Sequence, residues 1–127
     1  MRLEITPKQA ALHEPDDPKM GTGNVLWSGG IGLARYLEHR YGSDGLAGRR
    51  VLELGCGCGL VSLAAAALGA SVTATDLPDV LSLVTAPNMA ANCGSLLGTV
   101  VTRELVWGST ALEPHFGAGS GWWDLVD

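Results

Sequence analysis

The sequence predicts an α/β architecture, an open parallel sheet with crossover helices, and three observations predict it. Strand-like and helix-like runs alternate from Val51 to Val126, the order that builds parallel sheets. The first of those strands runs straight into alternating glycines, Gly55-Cys56-Gly57-Cys58-Gly59. The helix after them is rich in Ala and Leu and apolar nearly all round, as suits a helix pressed closely on a sheet.

Each element has its own signal. Residues 1–23 read as an N-terminal arm, broken by Pro7, Pro15 and Pro18, with a short strand at most around Leu3 and Ile5. The remainder, 24–127, reads as one domain. A helix is predicted over Ile31–Tyr41, because Ile31, Ala34, Leu37 and Tyr41 share a face, and Gly42 is its C-cap. Val51–Leu54 is a short β-type run. Leu60–Leu68 is the apolar helix, ended by Gly69, and Ser71–Thr75 is the next strand. Asp76 follows, with Pro78 placed where the first turn of a helix tolerates it. Val80, Leu81, Val84 and Met89 give that helix an apolar face, Pro87 is expected to kink or interrupt it, and Asn88 and Asn92 to end it. Thr99–Leu105 alternates and carries valines, so it is the third strand, and Trp122–Val126 begins a fourth. The glycine-rich stretch Gly108–Gly121 between them reads as a loop.

Composition narrows the function classes. The chain has 127 residues, enough for one domain, and is 46% hydrophobic and 17% charged, which excludes a disordered tail. Its net charge of −5 and lack of a basic run argue against nucleic acid as the main partner. The most apolar run, Leu60–Ala70, is far shorter than the ~20 residues that span a bilayer. Cys56, Cys58 and Cys93 suit a reducing compartment, and neither they nor His13, His39 and His115 have metal-site spacing. A cytoplasmic protein without metal is the expectation, with the nucleus as the alternative.

The chemistry concentrates at the glycine turn. Alternate glycines let a chain leave a strand sharply and let a ligand press on bare backbone, with the N–H groups of the next helix nearby. The dinucleotide fingerprint would need its third glycine at position 60, where this chain has Leu60. A nicotinamide cofactor is therefore disfavoured. Glu53 stands two residues before the first glycine, and Asp76 closes the neighbouring strand, where a carboxylate can accept bonds from two ribose hydroxyls. Asp76 before Leu77-Pro78 also fits a helix N-cap. Cys56 and Cys58 read as small turn fillers rather than nucleophiles, since nothing basic flanks them.

Val51-Leu52-Glu53-Leu54-Gly55-Cys56-Gly57-Cys58-Gly59-Leu60 closely resembles motif I of the seven-β-strand S-adenosylmethionine-dependent methyltransferases. Within that class the chain is similar to the small protein-lysine methyltransferase group, the family 16 type. Thr22-Gly23-Asn24-Val25-Leu26-Trp27, Val72-Thr73-Ala74-Thr75-Asp76 and Leu105-Val106-Trp107-Gly108 resemble three further segments of that group. The resemblance implies a Rossmann-like sheet, S-adenosyl-L-methionine as cofactor, and methyl transfer to a lysine of a protein substrate such as a chaperone or elongation factor. It implies cofactor contacts from Gly55, Cys56, Gly57 and Gly59 at the turn and ribose binding by Asp76. Trp27 and Trp107 would wall the pocket, and Glu53 would organise the turn and reach the amino group of the methionine. Both tryptophans also fit ordinary half-buried packing.

The likeness stops at the fourth strand. Trp123-Asp124-Leu125-Val126-Asp127 is not followed by the group's Asp-x-x-Tyr motif. The chain is therefore expected to be the N-terminal, cofactor-binding half of the fold, a fragment or a shortened gene product. No catalytic residue is assigned, and a non-catalytic module of the same fold, binding cofactor or a partner protein, is the alternative reading. Without the later strands, Leu54, Val72 and Val101 are expected to be exposed.

Overall fold

The structure is a computed structural model and describes residues 22–92, 94, 96–108 and the backbone of 125–126. Four parallel strands form one sheet in the order β3-β2-β1-β4. They are β1 (Arg50–Leu54), β2 (Ser71–Asp76), β3 (Thr99–Glu104) and β4 (Leu125–Val126). Val51 of β1 lies beside Val72 of β2 and Leu125 of β4, and Val72 lies beside Val100 of β3. The first strand lies inside the sheet, as its apolar Val51, Leu52 and Leu54 around Glu53 imply. The sequence steps outward from β1 to β2 to β3, then returns to the other side of β1 for β4. The direction of winding therefore reverses at β1, and the crevice beyond its carboxyl end is where ligands bind in open α/β sheets.

Helix α1 (Ser28–Tyr41) begins three residues before the predicted start, after Trp27 in extended conformation, and ends on Gly42, whose N–H donates to the Glu38 carbonyl at 2.9 Å. Helix α2 (Leu60–Ala67) is buried at every position after its first. Its alanines let α1 on one side and the sheet on the other approach closely. Leu37, Val61, Ala65, Val51 and Val72 meet in one core cluster, with Leu33, Tyr41 and Val100 against it.

The segment after β2 is one continuous helical rod in three pieces: α3 (Pro78–Val80), a π-helical stretch (Leu81–Thr85) and α4 (Ala86–Asn92). Pro87 does not break it. Proline has no N–H and its ring crowds the carbonyl four residues back. The wider turn absorbs this, and the Ala86 N–H bonds to the Leu81 carbonyl, five residues back. Asn92 ends the rod as expected, but Asn88 lies inside it and is buried.

Val51, Val72, Ala74 and Val100 all face the helices, since Val51, Val72 and Val100 stand side by side and alternate residues of a strand share a face. Val72 is thus buried, contrary to the expectation that it would be left bare, whereas Leu54 and Val101, of the opposite parity, are exposed. The fourth strand is described only at Leu125–Val126. The arm before Thr22, Cys93 and the loop beyond Gly108 lie outside the described residues. No helix among those described is long and apolar enough to cross a membrane.

Leu63 of α2 is fully buried, while Leu97 is 71% exposed. Leu63→Ala should cost about 2–5 kcal/mol in urea denaturation, and Leu97→Ala less than about 0.5 kcal/mol.

Candidate functional site

A cavity of about 610 Å³ opens at the carboxyl ends of β1 and β2. Four segments make its wall: the turn after β1, the end of β2, the stretch from Thr22 into α1, and Leu105 and Trp107 after β3. The sequence-predicted residues Trp27, Glu53, Gly55, Cys56, Gly57, Asp76 and Trp107 all line it. Gly59 does not. Its φ is +79°, and a Cβ there would run into the Met89 methyl and crowd Thr85. The third glycine of the turn therefore admits the helical rod instead of a ligand. Gly55, at φ +73°, serves the cavity directly. A Cβ on it would lie 3.3 Å from the Trp107 ring, so the bare backbone lets that ring lie over the turn.

The turn's polar groups are tied on several sides. The Cys56 N–H donates to the Thr75 carbonyl at 2.9 Å, and the Gly59 N–H closes the turn on the Cys56 carbonyl at 2.7 Å. The Gly57 N–H donates to Asp76 Oδ2 at 2.8 Å, and the Leu77 N–H to Asp76 Oδ1 at 2.7 Å. The N-cap of α3 is Leu77 and has no side-chain cap bond, so Asp76 is not that helix's cap. Each of its oxygens uses one acceptor site on backbone, and a carboxylate has about four in all. Capacity for a ligand's hydroxyls remains.

Glu53 is buried on β1 and accepts a hydrogen bond from the Ser62 hydroxyl of α2. The Thr75 hydroxyl donates to the Glu53 carbonyl at 2.6 Å and locks β1 to β2 beside the site. Trp27 and Trp107 stand at the rim with more than half their surface open, and the Trp27 indole N–H donates to the Thr22 carbonyl at 3.3 Å. Their rings are presented as walls, not packed away as core. No Lys, Arg or His lines the cavity among the described residues, so its formal charge comes from two carboxylates. No group of three metal-ligating side chains occurs among those residues either.

Sequence reasoning missed three contributors. Thr85 and Asn88 on the rod hold the outer side of the turn: the Thr85 hydroxyl donates to the Gly57 carbonyl at 2.6 Å, and the Asn88 amide to the Cys58 carbonyl at 2.9 Å. Ser62 was the third. A Ser, a Thr and an Asn at fully buried helix positions were the available signal, since buried polar side chains must find partners.

The lysine methyltransferase family model matches residues 7–126. The chain belongs to that family. It is similar to the protein N-lysine methyltransferase METTL21A of Danio rerio, 40% identical over 113 residues, which is 87% of this chain and 48% of that protein. The protein-lysine methyltransferase METTL21E of Bos taurus is 36% identical over 109 residues, 82% of this chain and 36% of its own. The electron transfer flavoprotein beta subunit lysine methyltransferase of Danio rerio is 44% identical over 103 residues, 80% of this chain and 35% of its own. The chain thus spans half or less of the length of these relatives.

The cysteines of the family's glycine turn are inert here. Burial, then the Glu53 carboxylate, pushes the Cys56 thiol well above its ordinary 9.0, and burial raises Cys58 too. Iodoacetamide at pH 8 should leave both unmodified in folded protein and label both in urea, read by peptide mass spectrometry. Above about pH 9 the unfolded chain releases a Cys56 proton that the folded chain keeps. Stability therefore falls as pH rises past that point, and Cys56→Ala should flatten the fall by about 1.4 kcal/mol per pH unit.

Proposed function

We propose that this chain holds S-adenosylmethionine in the cavity and forms the cofactor-binding part of a protein-lysine methyltransferase. One observation carries the reading: two carboxylates and two open tryptophan faces converge on a cavity at the sheet's switch point, with no cationic side chain on its wall. That field favours a ligand with positive charge and an aromatic ring system over a pyrophosphate. The bare backbone of Gly55, where a Cβ would meet Trp107, lets the indole lie over the turn with its other surface open to a flat ring.

The chain's residues divide the work by their chemistry. Asp76 has acceptor sites left for a pair of ribose hydroxyls. Glu53, fixed by Ser62, offers a carboxylate to an ammonium group. Trp27 and Trp107 exclude water and flank the ring. When bound, the cofactor supplies a methyl group already activated on a sulfonium, so in-line positioning of a neutral amine is the main remaining demand. The substrate reading, a lysine of a protein, is supported by family membership and by the names of the relatives above. The resemblance to the small protein-lysine methyltransferase group extends it to chaperone- or elongation-factor-like proteins.

Calorimetry with S-adenosylhomocysteine should give saturable binding to the folded chain. Asp76→Ala should weaken it by about 1–3 kcal/mol, the worth of charge-assisted hydrogen bonds, and Trp107→Ala by about 0.5–1.5 kcal/mol. No heat at millimolar ligand would overturn the cofactor reading. Transfer of labelled methyl to protein lysines in a lysate tests the activity separately.

A further inference from the structure

In the glycine turn, the carbonyls of Gly57 and Cys58 are not satisfied by the turn's own backbone. The Cys56 carbonyl accepts from Gly59, and the Gly59 carbonyl accepts from Leu63 at 2.9 Å. The carbonyls of Gly57 and Cys58 are met by side chains of the helical rod, Thr85 and Asn88. Both donors are almost fully buried, and neither lines the cavity, whereas Gly57 and Cys58 do. These two carbonyls therefore point to the rod and away from the ligand side.

The consequence follows from peptide geometry. There is no cis peptide among the described residues, and in a trans peptide the C=O and the next N–H point in opposite directions. Anchoring the Gly57 carbonyl on Thr85 thus turns the Cys58 N–H away from the rod, toward the cavity side. No described group accepts a hydrogen bond from the Cys58 N–H. The next peptide is fixed likewise: Asn88 holds the Cys58 carbonyl while the Gly59 N–H stays on Cys56. If the first peptide flipped, a carbonyl dipole would face the cavity beside Glu53 and Asp76, which already make it negative. A negatively charged group of a ligand would lose its donor.

We infer that Thr85 and Asn88 are positioning residues for the cofactor: they hold the outer carbonyls of the glycine turn so that the Cys58 N–H is presented to the carboxylate of the cofactor's amino-acid end. The inference rests on the cofactor reading above and adds to it residues that never touch the ligand. The π-helical stretch belongs to the same device. It carries Thr85 past Pro87's missing N–H in an unbroken rod, with Asn88 and the Gly59 neighbour Met89 one turn further on.

The test compares two ligands and two substitutions. S-adenosylhomocysteine carries the amino-acid end, and methylthioadenosine keeps the adenine, ribose and sulfur without it. Thr85→Val removes the donor at nearly constant shape, and Thr85→Ser restores it. Thr85→Val should weaken S-adenosylhomocysteine at least tenfold, leave methylthioadenosine within twofold, and be rescued by Thr85→Ser. Equal loss of both ligands, or wild-type affinity in Thr85→Val, would overturn the positioning role. A wild-type chain that binds neither ligand overturns the cofactor reading and this inference with it. If Thr85→Val does not fold, Thr85→Ala is read by the same two ligands.

Discussion

The turn from β1 into α2 must reverse the chain within five residues, and this strands backbone polar groups in a place where water is scarce. Everything around the site answers that constraint. A buried N–H or C=O without a partner costs roughly 1–3 kcal/mol, so a turn this tight persists only if its groups are met from outside. Here they are met from two directions. β2 supplies the Thr75 carbonyl and the Asp76 carboxylate from one side, and the helical rod supplies Thr85 and Asn88 from the other. The register of β1 on β2 is thereby fixed at the site as well as along the ladder, because Thr75 also reaches the Glu53 carbonyl.

Packing repeats the same division. Cys56 joins Ala74 and Leu81 in one apolar cluster, and Cys58 joins Val84 and Leu26 in another. The two cysteines thus plug the turn into the sheet-and-rod core and into the segment that carries Trp27. Their small, weakly polar side chains suit that task, and their raised thiols take no part in nucleophilic chemistry. Gly59 completes the arrangement by giving up its side-chain space to Met89. The rod can then lie close enough for its short Thr and Asn side chains to reach backbone.

What was legible in the sequence was whatever depends on period or on residue type alone. The alternation of runs specified the parallel sheet, and the apolar Val51, Leu52 and Leu54 pointed to an inner place for the first strand. Gly55, Gly57, Asp76 and the two tryptophans were picked out by residue type, and the structure sets all of them on the cavity wall. Parity was harder: Val72 and Leu54 look alike in composition, and only the register shows that one faces the helices and the other the cavity. Pro87 was read by its usual cost, but a widened turn satisfies the same constraint without a break. Asn88 was read by local propensity as a helix end. Its real partner, the Cys58 carbonyl, is thirty residues away, and no local pattern encodes such a bond.

Asp76 shows why structural and ligand roles are hard to separate in this fold. Its carboxylate stands at the end of β2, where a ribose-binding acid is expected, yet both its oxygens already hold backbone N–H groups. The same charge that would receive hydroxyls also keeps the Gly57 peptide oriented. A residue without a side-chain acceptor at that position would lose the second function even if a ligand could be held by other means. The turn therefore uses side-chain acceptors at Asp76 for its own shape, and the same carboxylate has acceptor capacity left for a ligand. Glu53 stands in the same relation to Ser62. Two carboxylates held by backbone and hydroxyl donors, with no side-chain cation on the cavity wall, leave the cavity with a negative field. That field suits a sulfonium or an ammonium and works against a phosphate, which makes the choice of cofactor a consequence of how this turn is held together.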